Sequence, residues 1–212
     1  KKMSVWTRME QSEVPAELRD YILSHKKSLT DRTASERKLS AFLAGPASPE
    51  SKAVVCRHLR LIGSDSSVPD LARLLTDPEL SDPARYALEK IPGVEADQAL
   101  LAALDKSPTP NRLGIISTLG RRKISSAVNA LFALAGGPDR PSAEASILAL
   151  GRIGSPAAAD ALKNLMERDS QRSHLSAAGI VNCAEIMGTS GLRSEAADLS
   201  RYLIVSSAPV AI

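Results

Sequence analysis

Apolar side chains recur along this chain in short runs spaced by three and four residues, and the runs themselves recur. Taking Leu59, Leu88, Leu119, Leu150 and Ala184 as anchors, the spacings are 29, 31, 31 and 34 residues. Twelve residues after each anchor stand Leu71, Leu100, Leu131, Leu162 and Ala196, and fifteen after stand Leu74, Ala103, Leu134, Leu165 and Leu199. Three after come Ile62, Ile91, Arg122, Ile153 and Met187; three before come Cys56, Arg85, Ile116, Ile147 and Val181. Only Arg85 and Arg122 break the pattern. Spacings of three place each half-unit on one helical face. Each unit therefore reads as a helix, a turn and a second helix.

The polar punctuation agrees. Between the halves lie Gly63-Ser-Asp-Ser-Ser, Pro92-Gly93, Arg121–Ser126, Gly154-Ser-Pro and Gly188-Thr-Ser-Gly. Glycine suits a helix C-terminus, and Ser155-Pro156 has the form of an N-cap followed by a first-turn proline. Between units the signals change to Thr76-Asp77-Pro78, Asp82-Pro83, Ser107-Pro108, Pro138-Asp139 and Asp169-Ser170, where proline ends a helix. A lone helix pair cannot bury its apolar stripe, so stacked neighbours must supply the core. The organisation expected is an N-terminal helical cap or degenerate repeat over 1–46. It is followed over 47–212 by five repeats, at 47–76, 81–106, 109–136, 142–168 and 173–204. In the cap, Val14–Lys27 reads as an amphipathic helix, and Thr33-Ala-Ser-Glu36 as a capping box opening a second one. The apolar ending Tyr202–Ile212 is unlike a polar terminal cap and leads to the expectation that the array continues in a longer chain.

Composition narrows the fold class. Aromatic residues make up only 3% of 212, while hydrophobic residues make up 43%. Alanine and leucine dominate that set, which favours closely packed helices over sheets. No window reaches eighteen apolar residues, so no membrane-spanning helix is expected. Two cysteines do not make a disulfide framework and do not decide the compartment. The opening KKMSVW carries no initiator Met and no apolar leader, which fits a processed form or an excised piece.

The phrases LIGSDSSVPDLARLL, ALGRIGSPAAADAL and DPARYALEKIPG resemble HEAT repeats, closest to the short bacterial units called PBS-lyase HEAT-like repeats. The resemblance covers about 53–203. It implies an all-α fold, an alpha-alpha superhelix: a solenoid of antiparallel helix pairs, with first helices outside and second helices lining a concave face. It also implies a protein-binding role. The stretch AVVCRHLRLIGSDSSVPDLARLL looks like arrays in large multidomain bacterial proteins, often exported ones, and leaves cytoplasmic and exported locations both open.

The chemistry of related enzymes is not matched. His25, His58 and His174 are not followed by Glu, as the di-iron hydroxylases of this architecture require. Trp6 stands alone, so the aromatic wall of a repeat-built DNA glycosylase is missing, as are platforms for single-stranded bases. No residue set supports lyase chemistry. Cys56 falls on a core position and reads as a small buried hydrophobe; Cys183 falls two residues past the equivalent one. Asp70, Asp160 and Glu195 read as solvated helix faces, and Asp77, Asp82 and Asp169 as turn-formers. The expectation is a non-enzymatic protein without cofactor or metal.

One column remains. Two residues after the anchors stand Leu61, Lys90, Arg121, Arg152 and Ile186. Cations there complement the end of the first helix by about 0.3–1 kcal/mol. Stacked, Lys90, Arg121 and Arg152, with Arg122, form a basic edge for an acidic partner. The concave face would carry Arg73, Gln98, Asn129, Asn164, Glu167, Asp198 and Arg201, mixed in sign as a protein-binding surface is. The function expected is a scaffold for protein–protein interaction, with Lys90, Arg121, Arg122, Arg152, Arg73, Asn129, Asn164 and Arg201 as contact residues. The competing reading is a nucleic-acid or polyanion-binding module that uses the basic edge; a net charge of +3 and a pI of about 9.0 permit it without requiring it.

Overall fold

The helix Pro49–Ile62 shows how sequence makes these elements. Ser48 caps it by accepting the Ser51 N–H, Pro49 opens it, and Val55, Cys56 and Leu59 along one face are fully buried. The computed structural model describes residues 29–207, which fall in two compact units divided between Asn111 and Arg112. The described residues are all-α, with no strand among them.

In the first unit lie α1 (Leu29–Ala44), α2 (Pro49–Ile62), a 3-10 turn (Asp65–Ser67), α3 (Val68–Ala72), α4 (Ser81–Lys90) and α5 (Val94–Leu104). Helix α2 packs on α4, and α3 on α4 and α5, so each pair covers the next. Helix α1 packs on α2 and α3. It begins at Leu29, so the capping box expected at Thr33 does not form: Thr33 is exposed one turn inside the helix. Glu36 is instead buried and reaches out of its helix. Its Oε1 accepts the Ser64 N–H at 2.6 Å, the Ser64 hydroxyl at 2.8 Å and the Ser67 hydroxyl. One turn earlier Arg32 donates to the carbonyls of Leu61, at 2.8 Å, and Ile62. Helix α1 thus clamps both the end of α2 and the turn after it. The helix expected at Val14–Lys27 lies outside the described residues.

Connectors are laced together. Asp77 Oδ1 accepts the N–H groups of Glu79 and Leu80, and its backbone carbonyl accepts Asn111 Nδ2 at 3.2 Å. Ser81 and Ser107 both donate to the Leu75 carbonyl. Arg85, the charged residue at a core position, is 4% exposed; its guanidinium runs to Asp82 at 2.7 Å and lies 4.2 Å over the Tyr86 ring.

The second unit contains nearly all of α6 (Thr109–Arg121), a 3-10 turn (Ser125–Ala127), α7 (Val128–Ala135), α8 (Arg140–Ile153), α9 (Pro156–Arg168), α10 (Ser173–Thr189) and α11 (Arg193–Ser207). Helix α8 packs on α7, α9 and α10; α9 packs on α7 and α10; α10 packs on α11. Gly154 ends α8 at φ 62, and Ser155 caps α9 by accepting the Ala158 N–H at 3.2 Å. Small residues set the approach of successive first helices. A Cβ on Gly120 would lie 2.8 Å from Ala149 Cα, and one on Gly151 would lie 3.1 Å from Gly179 Cα.

The register of the last pair needs correction. Val181, expected in the core, is 46% exposed and Ala184 only half-buried, whereas Ile180 and Cys183 are fully buried. Cys183 is therefore the anchor of α10, thirty-three residues after Leu150. Leu199 stays buried on α11, so one extra residue is absorbed where α10 ends, around Gly188–Gly191.

Candidate functional site

The basic edge is best defined in the second unit. Arg121 and Arg152 are both exposed and sit in the last turns of α6 and α8, where uncapped carbonyls favour a cation. Arg121 Nη2 donates to Thr118 Oγ1 at 3.2 Å, within its own helix. Arg152 Nη1 crosses to Ser117 Oγ on α6 at 3.4 Å. Since Ser117 lies one turn before Arg121, the structure brings these two arginines to one face. Arg122 is half-buried beside them, with its N–H on the Thr118 carbonyl. The corrected register changes the end of the row: the residue two past Cys183 is Glu185, an exposed acid, where Ile186 was expected. In the first unit Lys90 is exposed in the last turn of α4.

Three of the second helices, α3, α9 and α11, carry locally paired charges at or beside them. Arg73 meets Asp70 at 3.0 Å in the first unit, where Gln98 is exposed. In the second unit Lys163 meets Asp160 at 3.2 Å and Arg201 meets Asp198 at 2.7 Å. Tyr202 donates its hydroxyl to Glu167 at 3.0 Å and lies under the Lys163 ammonium. Such exposed pairs hold side chains in place at a gain of about 0–1 kcal/mol. Asn129 is exposed on α7; Asn164 is half-buried on α9, and its Oδ1 lies buried with no donor. Sequence reading did not single out Tyr202, whose hydroxyl and ring join Glu167 and Lys163 on α9 to α11.

It also missed an apolar groove of about 310 Å³ on α10 and α11, lined by Val181, Ala184, Glu185, Ala196 and Leu203 among others. The misplaced anchor hid it, by assigning Val181 to the core.

Both thiols are fully buried. Burial pushes Cys56 up to about 12 and Cys183 up to about 11; Cys183 Sγ rests 3.7 Å from the Leu150 and Gly151 carbonyls. Burial, helped by Arg57, also lowers the pKa of His58. Asp169 does what its connector position predicts: it accepts the N–H groups of Gln171 and Arg172 and pairs with the Arg172 guanidinium, which also binds the Gly137 carbonyl at 2.9 Å. Among the described residues no three His, Cys, Asp or Glu side chains stand together as a metal set, and no helix is long and apolar enough to cross a membrane.

Helix pairs that each pack on the next, with a buried stripe at a repeating spacing, define an α-helical repeat protein. Residues 98–180 match the family model for HEAT repeats. No curated protein matches the chain.

Proposed function

We propose that this protein is a non-enzymatic scaffold for protein–protein interaction, built from HEAT repeats of the short bacterial PBS-lyase-like kind. The observation that carries the reading is the match of 98–180 to HEAT repeats, a family that generally serves as interaction scaffolds. The surface chemistry supports it. Second helices α9 and α11, and the end of α3, offer charges of both signs held by local pairs, and both thiols are buried out of reach. The contact residues proposed are Lys90 and Arg73 in the first unit, and Arg121, Arg122, Arg152, Asn129, Asn164 and Arg201 in the second. The test is site-specific photo-crosslinking from positions 73, 129 and 201 in the cell that makes the protein, followed by titration of the captured partner. Arg73→Glu and Arg201→Glu should weaken binding by about tenfold or more each, as reversed charges at an interface do. Unchanged affinity in both would sink this surface assignment.

A polyanion-binding reading draws on one observation, the shared face of Arg121 and Arg152. Its test is titration with duplex DNA and with heparin between about 50 mM and about 200 mM salt. Binding that falls steeply with salt and disappears in Arg121→Glu/Arg152→Glu would establish it in place of the scaffold reading.

A further inference from the structure

Helices α8 and α10 lie side by side and run in the same direction. Gly179 stands by the Ile147 carbonyl, Cys183 by that of Leu150, and Gly154 by Ile186, so height along one helix rises with height along the other. The outward face of this pair bears four exposed side chains one turn apart: Leu148 and Arg152 on α8, Val181 and Glu185 on α10. Leu148 and Val181 are each 46% exposed. Neither Arg152 nor Glu185 has an ion-pair partner within 4.0 Å among the described residues; Arg152 reaches only the Ser117 hydroxyl. The neighbouring acid on this stretch, Glu144, is already tied to Arg140 at 2.7 Å.

This pattern is self-complementary. A two-fold axis parallel to the helices and midway between them would lay α8 of one copy on α10 of another. Leu148 would then meet the second copy's Val181, and Arg152 the second copy's Glu185, each contact occurring twice, as an isologous interface requires. We propose that the outer face of α8 and α10 is a docking surface for a second copy of this chain. The charge pairs fix the register and the two apolar side chains lose water. Two adjacent helices of three to four turns present on the order of 400 Å² per copy. That is at the lower end for specific association, so the dimer is weak, micromolar or weaker. The inference stands apart from the scaffold reading, since a monomer can serve as a scaffold.

The experiment is sedimentation velocity on the full chain over a concentration series up to about 1 mM at low salt. The wild type should shift from monomer to dimer as concentration rises. Arg152→Glu sets two acids against each other at each contact, and Glu185→Arg sets two bases; each should weaken the dimer by about tenfold or more. The double variant Arg152→Glu/Glu185→Arg restores opposite charges and should recover the wild-type constant within about threefold. Leu148→Asp should abolish association, and if that variant fails to fold the charge-reversal set decides alone. A monomer throughout the series overturns the proposal. So does a dimer indifferent to the single reversals, or a double variant no better than the singles.

Discussion

Gly120 on α6 lies against the backbone of Ala149 on α8. A methyl group at Gly120 would stand 2.8 Å from Ala149 Cα and 3.2 Å from its carbonyl oxygen. Both are main-chain atoms and cannot rotate aside, so the helices themselves would have to separate. Gly120→Ala gains about 1 kcal/mol of helix propensity. Even so, we expect a net loss of about 1–2 kcal/mol in urea unfolding, because overpacking at a backbone contact outweighs it. Gly188 in α10 is the control: a Cβ there meets only Ala196 Cβ at 3.8 Å. Gly188→Ala should therefore stabilise by about 0.5–1 kcal/mol. Equal shifts for the two variants would mean that α6 and α8 do not approach as closely as described.

Lys123 takes the place that glycine takes one repeat later. It ends α6 at φ 56, as Gly154 ends α8 at φ 62, and the Ile124 N–H closes the turn on the Leu119 carbonyl at 3.1 Å. A left-handed backbone costs a residue with a Cβ about 1–2 kcal/mol. Lys123→Gly should recover part of that, raising stability by about 0.5–1 kcal/mol. The converse change, Gly154→Ala, adds the same strain and drives a Cβ to 2.4 Å from Ile186 Cγ2. It should lower the unfolding midpoint clearly. A neutral Lys123→Gly would argue that this turn is not left-handed in solution.

Glu36 binds three donors on Ser64 and Ser67 through a single carboxylate oxygen. Removing it leaves the buried Ser67 hydroxyl and the Ser64 N–H without their acceptor. Glu36→Ala should cost about 1–3 kcal/mol, as stranded buried donors do. Ser64→Ala, which deletes one donor and leaves the acceptor satisfied by two others, should cost less. If the two variants unfold at the same urea concentration, the carboxylate does not clamp α1 to the turn.

Much of this architecture was legible because it follows from local rules. Leu59, Leu71, Leu88, Leu100, Leu119, Leu131, Leu150 and Leu162 were placed by spacing alone, and every one is fully buried. Gly154-Ser155-Pro156 was read as a stop and a start, and its φ and cap bond are those of a stop and a start. What failed was non-local. Thr33-Ala-Ser-Glu36 has the letters of a capping box, yet the acceptor served donors some thirty residues away. In α10, Val181 and Ile180 are interchangeable to a pattern of apolar spacing; only packing against α8 and α9, where Gly179 must face the Ile147 carbonyl and Leu162, decides between them. The surface residues carry the same lesson. Arg121 and Arg152 share a face because Ser117 receives one of them, a contact that spacing alone could not assign.

The two thiols supply a prediction in pH. Cys56 stands at about 12 and Cys183 at about 11 in the folded chain, against an ordinary value of 9.0, because burial disfavours the thiolate. The unfolded chain thus ionises first as pH rises. Their contribution to stability is fully present below pH 9, and is lost progressively from there up through 11 and 12. Between pH 6 and 8 these groups add no slope. Urea midpoints should accordingly fall between about pH 9 and about pH 11 by more in the wild type than in Cys56→Val/Cys183→Val. At pH 8 the native protein should react with a thiol-selective disulfide reagent only as fast as it opens, while the urea-unfolded chain releases two equivalents promptly. Rapid reaction of the native protein, or a double variant with the same alkaline slope as the wild type, would place the thiols at the surface and remove Cys183 as the anchor of α10.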